Sequence, residues 1–248
     1  ALAIAANFES QDEKLVVVTS SQNESEKLAS DLSAILGEEY IYQFFSDDVA
    51  AAEFIFSSLD KTISRVEAIK FLLDDTEKGI LITSIVGLRV LLPSPKTFLT
   101  SYLSLSIGNE YNLDTIVKQL TTMGYHKVSQ VLHPGEYSKR GDILDVYEIT
   151  KENPYRIEFF GDEVDGIREF NLDTQLSLST VNEIEISPAS DLILEKNDFI
   201  RGINNLEKAY KVANDDLKKY LSEIISVSKN DYCHKDIRKF ISLFYQNK

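Results

Sequence analysis

Hydrophobic positions in the first hundred residues alternate between continuous apolar runs and helical stripes. "ALAIAANF" is rich in Ala and Leu and predicts a helix. "KLVVVTS" is a continuous run with β-branched residues, the pattern of a buried strand in a parallel sheet. In "SQNESEKLASDLSAILG" the polar start offers an N-cap, and Leu28, Leu32, Ile35 and Leu36 form one stripe. Gly37 can end that helix. "YIYQFF" predicts a second strand, "KTISRVEAIKFLLDD" a second amphipathic helix and "KGILITS" a third strand. "IVGLRVLLPSP" predicts a short helix stopped by Pro93 and Pro95. Strands alternating with helices predict a three-layer α/β unit with a parallel sheet over residues 1–100.

The period then changes. "YLSLSIGNEY" alternates as a strand, and "NLDTIVKQLTTMGY" predicts a helix with Asn112 as N-cap. Short alternating segments follow: "KVSQVL", "GEYSKRG", "DILDVYEI", "YRIEFF", "GIREFN" and "NEIEIS", separated by Gly, Asp, Asn and Pro. This predicts a mainly antiparallel sheet with one helix, an α+β domain over residues 101–189. From "SPASDLIL" onward the periodicity is helical, which predicts a partial helical domain over residues 190–248.

In "YRIEFF" a period of two puts Tyr155, Ile157 and Phe159 on a core face and Arg156, Glu158 and Phe160 on the other. In "DILDVY", Leu144 and Val146 alternate against Ile143, Asp145 and Tyr147, while "SKRG" brings Arg140 to the start of that strand. If these strands are neighbours, Arg140, Arg156 and Phe160 cluster on one face. Two readings stand side by side. Arg with an aromatic is the composition of an interface hot spot. Alternatively, Arg156 pairs with Glu158 or a cross-strand acid, and Phe160 tucks under the helix.

Composition narrows the function. With 248 residues, 43% of them hydrophobic, and 13 Phe and 12 Tyr, the chain has material for more than one core. Its net charge of -14, from 40 acidic and 26 basic residues, argues against a dedicated nucleic-acid-binding module. Such binding rests on neutralising phosphates. A local basic patch, or DNA binding by parts outside this chain, stays open. A single cysteine, Cys233, allows no internal disulfide and fits a reducing, cytoplasmic setting. No apolar run reaches the length of a membrane span, and no signal peptide is visible. The opening "ALAIAANF", without Met, raises the expectation of a longer parent.

Candidates for chemistry are few. A parallel α/β unit invites a phosphate loop, G-x-x-x-x-G-K-[ST], and the sequence contains none. The natural place for one lies before the first helix. Cys233-His234 could be half of a metal site, but only His126 and His133 offer further soft donors, and a helix-surface pair is the plainer reading. No G-x-S-x-G elbow accompanies the serines. Asp162, Glu163 and Asp165 read better as a solvated hairpin corner than as a cation site, because Gly161 and Asp162 supply turn geometry. No metal, cofactor or catalytic residue is therefore expected in this chain.

Three stretches make the chain recognisable: "PGEYSKRGDILDVYE", "PYRIEFFGDEVDGIREFNLDTQLSL" and "IEISPASD". They resemble the second domain of the bacterial transcription-repair coupling factors, the Mfd family, and the related region of the excision-repair helicase UvrB. The flanks "VVVTSSQNESEKLASDL", "FFSDDVAAAEF" and "GILITSIVGLRVLLPSP" are similar to the same family. The resemblance implies an amino-terminal UvrB-like module: a degenerate RecA-like α/β domain without ATP motifs (1a), an α+β domain that binds UvrA (2), and a mainly helical domain (1b). It implies a non-catalytic fragment. The parent's ATP and magnesium, its translocase motor, and its contacts with RNA polymerase and DNA lie in other domains. The family also implies masking of the UvrA surface by carboxy-terminal domains of the parent.

The family's UvrA surface is built around an Arg in the "RG" turn, an Arg opening the R-x-E-F-F strand, and the last Phe of that strand. These fall on Arg140, Arg156 and Phe160. Glu158 is expected to orient Arg156. The UvrB pattern adds basic positions that fall on Lys127, which keeps the charge, and on Ser138, which does not, although Lys139 is adjacent. UvrB itself carries a Tyr-rich DNA-clamping hairpin, and "SDDVAAAEFIFSSLDKTISR" has no such run. Two alternatives remain: a UvrB-like ATP-dependent helicase fragment whose phosphate loop lies upstream, and a structural brace for the motor.

Overall fold

A computed structural model describes residues 1–46, 59–228 and 235–245. The chain divides into two compact units, residues 1–91 and 92–248.

The first unit contains α1 (Leu2–Ser10), β1 (Leu15–Thr19), α2 (Gln22–Leu36), β2 (Ile41–Phe44), α3 (Leu59–Leu73) and β3 (Ile80–Ser84). The strands form a parallel sheet in the order β1-β3-β2. The predicted α/β unit is thus present, with one correction. The "KLVVVTS" run is an edge strand, and its Val16 and Val18 are exposed. The strand buried along its whole length is β3, at the centre. A continuous apolar run tells of two apolar faces, not of a neighbour on each side. Phe8, Ala29 and Leu32 pack on Ile80 and Ile82 to form one core layer.

A second correction concerns "IVGLRVLLPSP". Only Gly87–Arg89 turns there, as a single 3-10 helix. Pro95 starts α4 (Pro95–Leu99) instead of stopping a helix: it occupies the first turn, and Ser94 caps it by accepting from the Thr97 N–H at 3.1 Å. Proline suits a helix start because the N–H it lacks would be unbonded there anyway.

The second unit continues with β4 (Leu103–Ser106), α5 (Leu113–Thr122), β5 (His126–Lys127), β6 (Glu136–Arg140), β7 (Ile143–Val146), β8 (Tyr155–Phe160), β9 (Glu163–Phe170), β10 (Ser177–Thr180) and β11 (Glu183–Ile186). A six-stranded sheet runs β10-β9-β8-β7-β6-β5, antiparallel except for β5 beside β6, and β11 pairs with β4. Of the expected "KVSQVL" strand only Lys127 lies in β5, and β10 is a strand that the alternation does not show. Asn112 caps α5 as predicted, accepting from the Thr115 N–H at 3.0 Å.

One face of this sheet is covered. Leu113, Ile116, Leu120 and Met123 from α5 and its end pack on Leu144, Val146, Tyr155, Ile157, Phe159 and Ile167. The core face read from "YRIEFF" is therefore the buried one. Lys139 also points to this helix side, where its ammonium bonds Asp114 in the first turn of α5 at 2.6 Å. That bond, first of all, holds the Asp114 carboxyl below its ordinary value. A carboxyl lowered by folding stabilises above its unfolded value and loses that contribution as pH falls through its folded value. NMR titration is expected to find Asp114 below the ordinary 3.8, with Lys139→Ala raising it.

The unit ends in helices α6 (Lys196–Val212), α7 (Asp215–Ser228) and α8 (Ile241–Phe244). Phe199, Ile203, Leu206, Leu221 and Ile224 make a core with Phe244. Gly202 lets the buried Phe244 ring approach so closely that a Cβ at that position would lie 1.9 Å from it. Cys233-His234 and most of the stretch weighed for a DNA clamp lie outside the described residues.

Candidate docking face

The site lies on the sheet face opposite α5. Two hairpins with matching turns build it. Arg140 ends β6, and Gly141-Asp142 turns into β7; Phe160 ends β8, and Gly161-Asp162 turns into β9. Gly141 sits at φ 62° and Gly161 at φ 65°. In a two-residue hairpin turn that first position takes a positive φ, which favours glycine. Because β6 and β8 both run antiparallel to β7, Arg140 and Phe160 emerge at the same end of the sheet.

Phe160 is 82% exposed. The expectation that it tucks under the helix is thereby excluded, since α5 lies on the other face. Its turn is nonetheless firmly held. The Tyr111 N–H donates to the Asp162 carbonyl at 2.6 Å, the Val164 N–H to Asn109 at 3.0 Å and the Gly108 N–H to Val164 at 2.8 Å. The aromatic ring therefore projects into solvent from a fixed backbone.

Register aligns the charges. Across the sheet Ser138, Asp145, Arg156 and Arg168 stand in one row, and Arg140, Ile143, Glu158 and Gly166 in the next. Asp145 is the organiser. Its carboxylate, 1% exposed, accepts from Arg156 Nε at 2.7 Å and from a terminal Arg156 nitrogen at 2.9 Å. It also accepts from Arg140 at 2.6 Å. Arg156 donates further to Gln175 Oε1 at 3.1 Å and lies 4.4 Å over the Phe170 ring. The hydrogen bond to Asp145 is the main reason Arg156 holds its proton more firmly than a free guanidinium.

This corrects the expectation that Glu158 orients Arg156. Glu158 accepts from Arg168; Asp145, eleven residues before Arg156 in sequence, does the orienting. Of the predicted site residues, Arg140, Arg156, Glu158 and Phe160 share the face. Lys127 does not join them: it is exposed at the sheet edge, in register with Tyr137, which belongs to the α5 side. Ser138 is buried and donates to the Ser129 carbonyl at 2.9 Å, so it offers no contact. Asp145, Arg168 and Gln175 were not singled out from sequence. Asp145 had a signal, an acid flanked by Leu144 and Val146 in an apolar strand. Gln175 had none, though it takes a positive φ of 59° to reach Arg156.

The other place to look for a ligand is the first unit's helix end after β1. There the chain supplies its own anion: Ser20 donates from its hydroxyl to Glu24 at 2.6 Å, and Ser21 caps the helix. Among the described residues no group of His, Cys, Asp and Glu is placed to hold a metal ion, and no helix is long and apolar enough to cross a membrane.

Residues 103–192, which carry this face, match the family model of the UvrB interaction domain. Over nearly its whole length the chain is similar to transcription-repair-coupling factors. It is 28% identical to that of Bacillus subtilis (strain 168) over 94% of this chain and 20% of the relative. It is 29% identical to that of Staphylococcus epidermidis over 99% of this chain and 22% of the relative. With the factor of Staphylococcus aureus (strain bovine RF122 / ET3-1) the identity is 28% over 98% of this chain and 21% of the relative. The chain thus spans about a fifth of the length of these relatives. The resemblance to transcription-repair-coupling factors, read first from the strands, is thus matched over 94 to 99% of this chain.

Proposed function

We propose that this chain is a non-catalytic interaction module that recruits UvrA to stalled RNA polymerase for nucleotide excision repair. The observation that carries the reading is Phe160, 82% exposed on the sheet face that also holds Arg140 and Arg156, in a segment that matches the UvrB interaction domain. In this reading residues 1–100, 101–189 and 190–248 are the degenerate RecA-like, UvrA-binding and helical domains. The protein works in the cytoplasm. ATP, magnesium, DNA and RNA polymerase are engaged by other domains of the parent, and a carboxy-terminal domain covers the docking face until repair begins.

Docking combines two physical terms. The Phe160 ring leaves water for an apolar pocket, and the guanidinium forks meet carboxylates in paired, charge-assisted hydrogen bonds. No nucleotide is needed for either. Calorimetry with purified UvrA and no ATP is expected to show binding. Arg140→Ala should weaken it by about 10- to 100-fold, a cost of about 1.4 to 2.8 kcal/mol. Arg140 is 51% exposed and uses a single bond to Asp145, so its loss leaves the fold nearly intact. Absence of wild-type binding, under conditions where UvrB binds the same UvrA, would overturn the recruitment reading.

A further inference from the structure

We propose that Arg168, held by Glu158, is a further charge contact of this face, and that the partner's patch carries acidic side chains for Arg168 and Arg140 apart from the apolar pocket that receives Phe160. The inference rests on the recruitment reading above and names the chemistry the partner must present.

Three observations carry it. The first is register. Arg168 on β9 stands directly across from Arg156 on β8. Like charges opposite one another on one sheet face are destabilising. The fold tolerates this pair by giving each guanidinium its own acid, Asp145 for Arg156 and Glu158 for Arg168. Two buried or half-buried carboxylates thus serve to hold two cations side by side at a surface, an arrangement that stability alone does not favour.

The second is the count of donors. Asp145 is fully engaged by Arg140 and Arg156. Arg140 and Arg168 each make one side-chain bond, and both are substantially exposed, at 51% and 37%. A guanidinium carries five N–H donors in a planar fork. Among the described residues no second acceptor meets either fork. Their remaining donors face solvent. A partner carboxylate is the ligand such forks match.

The third is spacing. The strand order β9-β8-β7-β6 places Arg168 on one side of the Phe160 strand and Arg140 on the other. At ~4.8 Å per strand, the Arg168 and Arg140 backbones stand on the order of 14 Å apart, while their forks lean inward to Glu158 on β8 and Asp145 on β7. Glu163 pairs with Phe160 across the turn and disfavours an acid directly over the ring. A partner acid that meets Arg168 therefore lies away from the Phe160 ring, toward the Arg156 end of β8.

The test measures the affinity of the whole chain for purified UvrA at two salt concentrations. The variants are Arg168→Gln, Arg168→Lys and Glu158→Gln, each with a thermal melt. Arg168→Gln is expected to weaken binding about 5- to 20-fold and to flatten the salt dependence, with the melt unchanged. Arg168→Lys should restore the salt dependence and part of the affinity, because it keeps the charge and loses the fork. Glu158→Gln should fall between wild type and Arg168→Gln, since it frees Arg168 without removing it. Wild-type affinity and salt dependence in Arg168→Gln would overturn this inference and leave recruitment standing. So would a loss of affinity that merely follows a loss of melting temperature. A wild-type chain that does not bind UvrA at all overturns both.

Discussion

Asp145→Ala is expected to cost about 2 to 4 kcal/mol of folding stability, the largest effect of any single change on the docking face. Asp145 is 1% exposed and accepts three guanidinium hydrogen bonds from two arginines. Removing it leaves Arg156, only 20% exposed and lying against the Phe170 ring, without its main counter-charge. Breaking a buried ion pair from one side costs more than the pair contributes, because the remaining charge is still desolvated. Arg156 keeps Gln175 and part of its contact with water, which places the cost below that of a fully buried pair. Asp145→Asn should lose roughly half as much, since it keeps an acceptor for Arg156 and gives up only the charge. Denaturation midpoints and amide exchange across β7, β8 and β9 are the measurements. Wild-type protection in Asp145→Ala would mean that the arginines re-pair elsewhere and that Asp145 does not organise the face. A fall in stability should also carry a fall in UvrA affinity, because Arg140 and Arg156 both take their positions from this carboxylate.

Phe160→Ala is expected to do the reverse: almost nothing to stability and the most to binding. The ring is 82% exposed and ends its strand beside a turn that is pinned through the backbone of Tyr111, Asn109 and Gly108. Deleting an exposed side chain there opens no cavity. On docking, the same ring would move from water into an apolar site, a gain of about 2 to 3 kcal/mol by buried area. As a central anchor its truncation is expected to cost about 2 to 4 kcal/mol, an affinity loss of roughly 30- to 700-fold. The held turn matters to that figure, because a pre-ordered anchor loses little freedom on binding. The salt dependence should stay as in wild type, since no charge is removed, and Phe160→Leu should recover part of the loss. A Phe160→Ala chain that binds UvrA within twofold of wild type would remove the ring from the interface and leave the guanidiniums to account for it.

Much of the fold was legible because it follows from contiguous residues. The apolar runs, the Asn112 cap and the glycines of the two hairpins each act within a few positions of themselves, whereas Ile35 of the predicted α2 stripe is 45% exposed. Alternation within "YRIEFF" assigned both faces of β8, and the buried Tyr155, Ile157 and Phe159 with the exposed Phe160 match that assignment. Misreadings came where a local pattern has two tertiary outcomes. An apolar strand such as β1 suits an edge as well as a centre until its neighbours are known. Pro95 can end one helix or begin another, and Ser94 decides for the second by capping the turn that follows.

The sequence by itself determined where the main strands and helices of this protein lie, and which side of β8 turns away from the core, because period and propensity are properties of neighbouring residues. Only the tertiary structure decided who holds whom on the exposed side. Glu158, two residues from Arg156 on the same strand face, was the nearer acid in sequence, yet Asp145 on β7 stands directly across from Arg156 and takes its guanidinium, while Glu158 takes Arg168. Lys127, a plausible member by charge, falls on the register of the other face. Such pairings depend on strand order, register and the bulge between Glu158 and Phe159, which are set by contacts among segments distant in the chain and leave no trace in the spacing of any one of them.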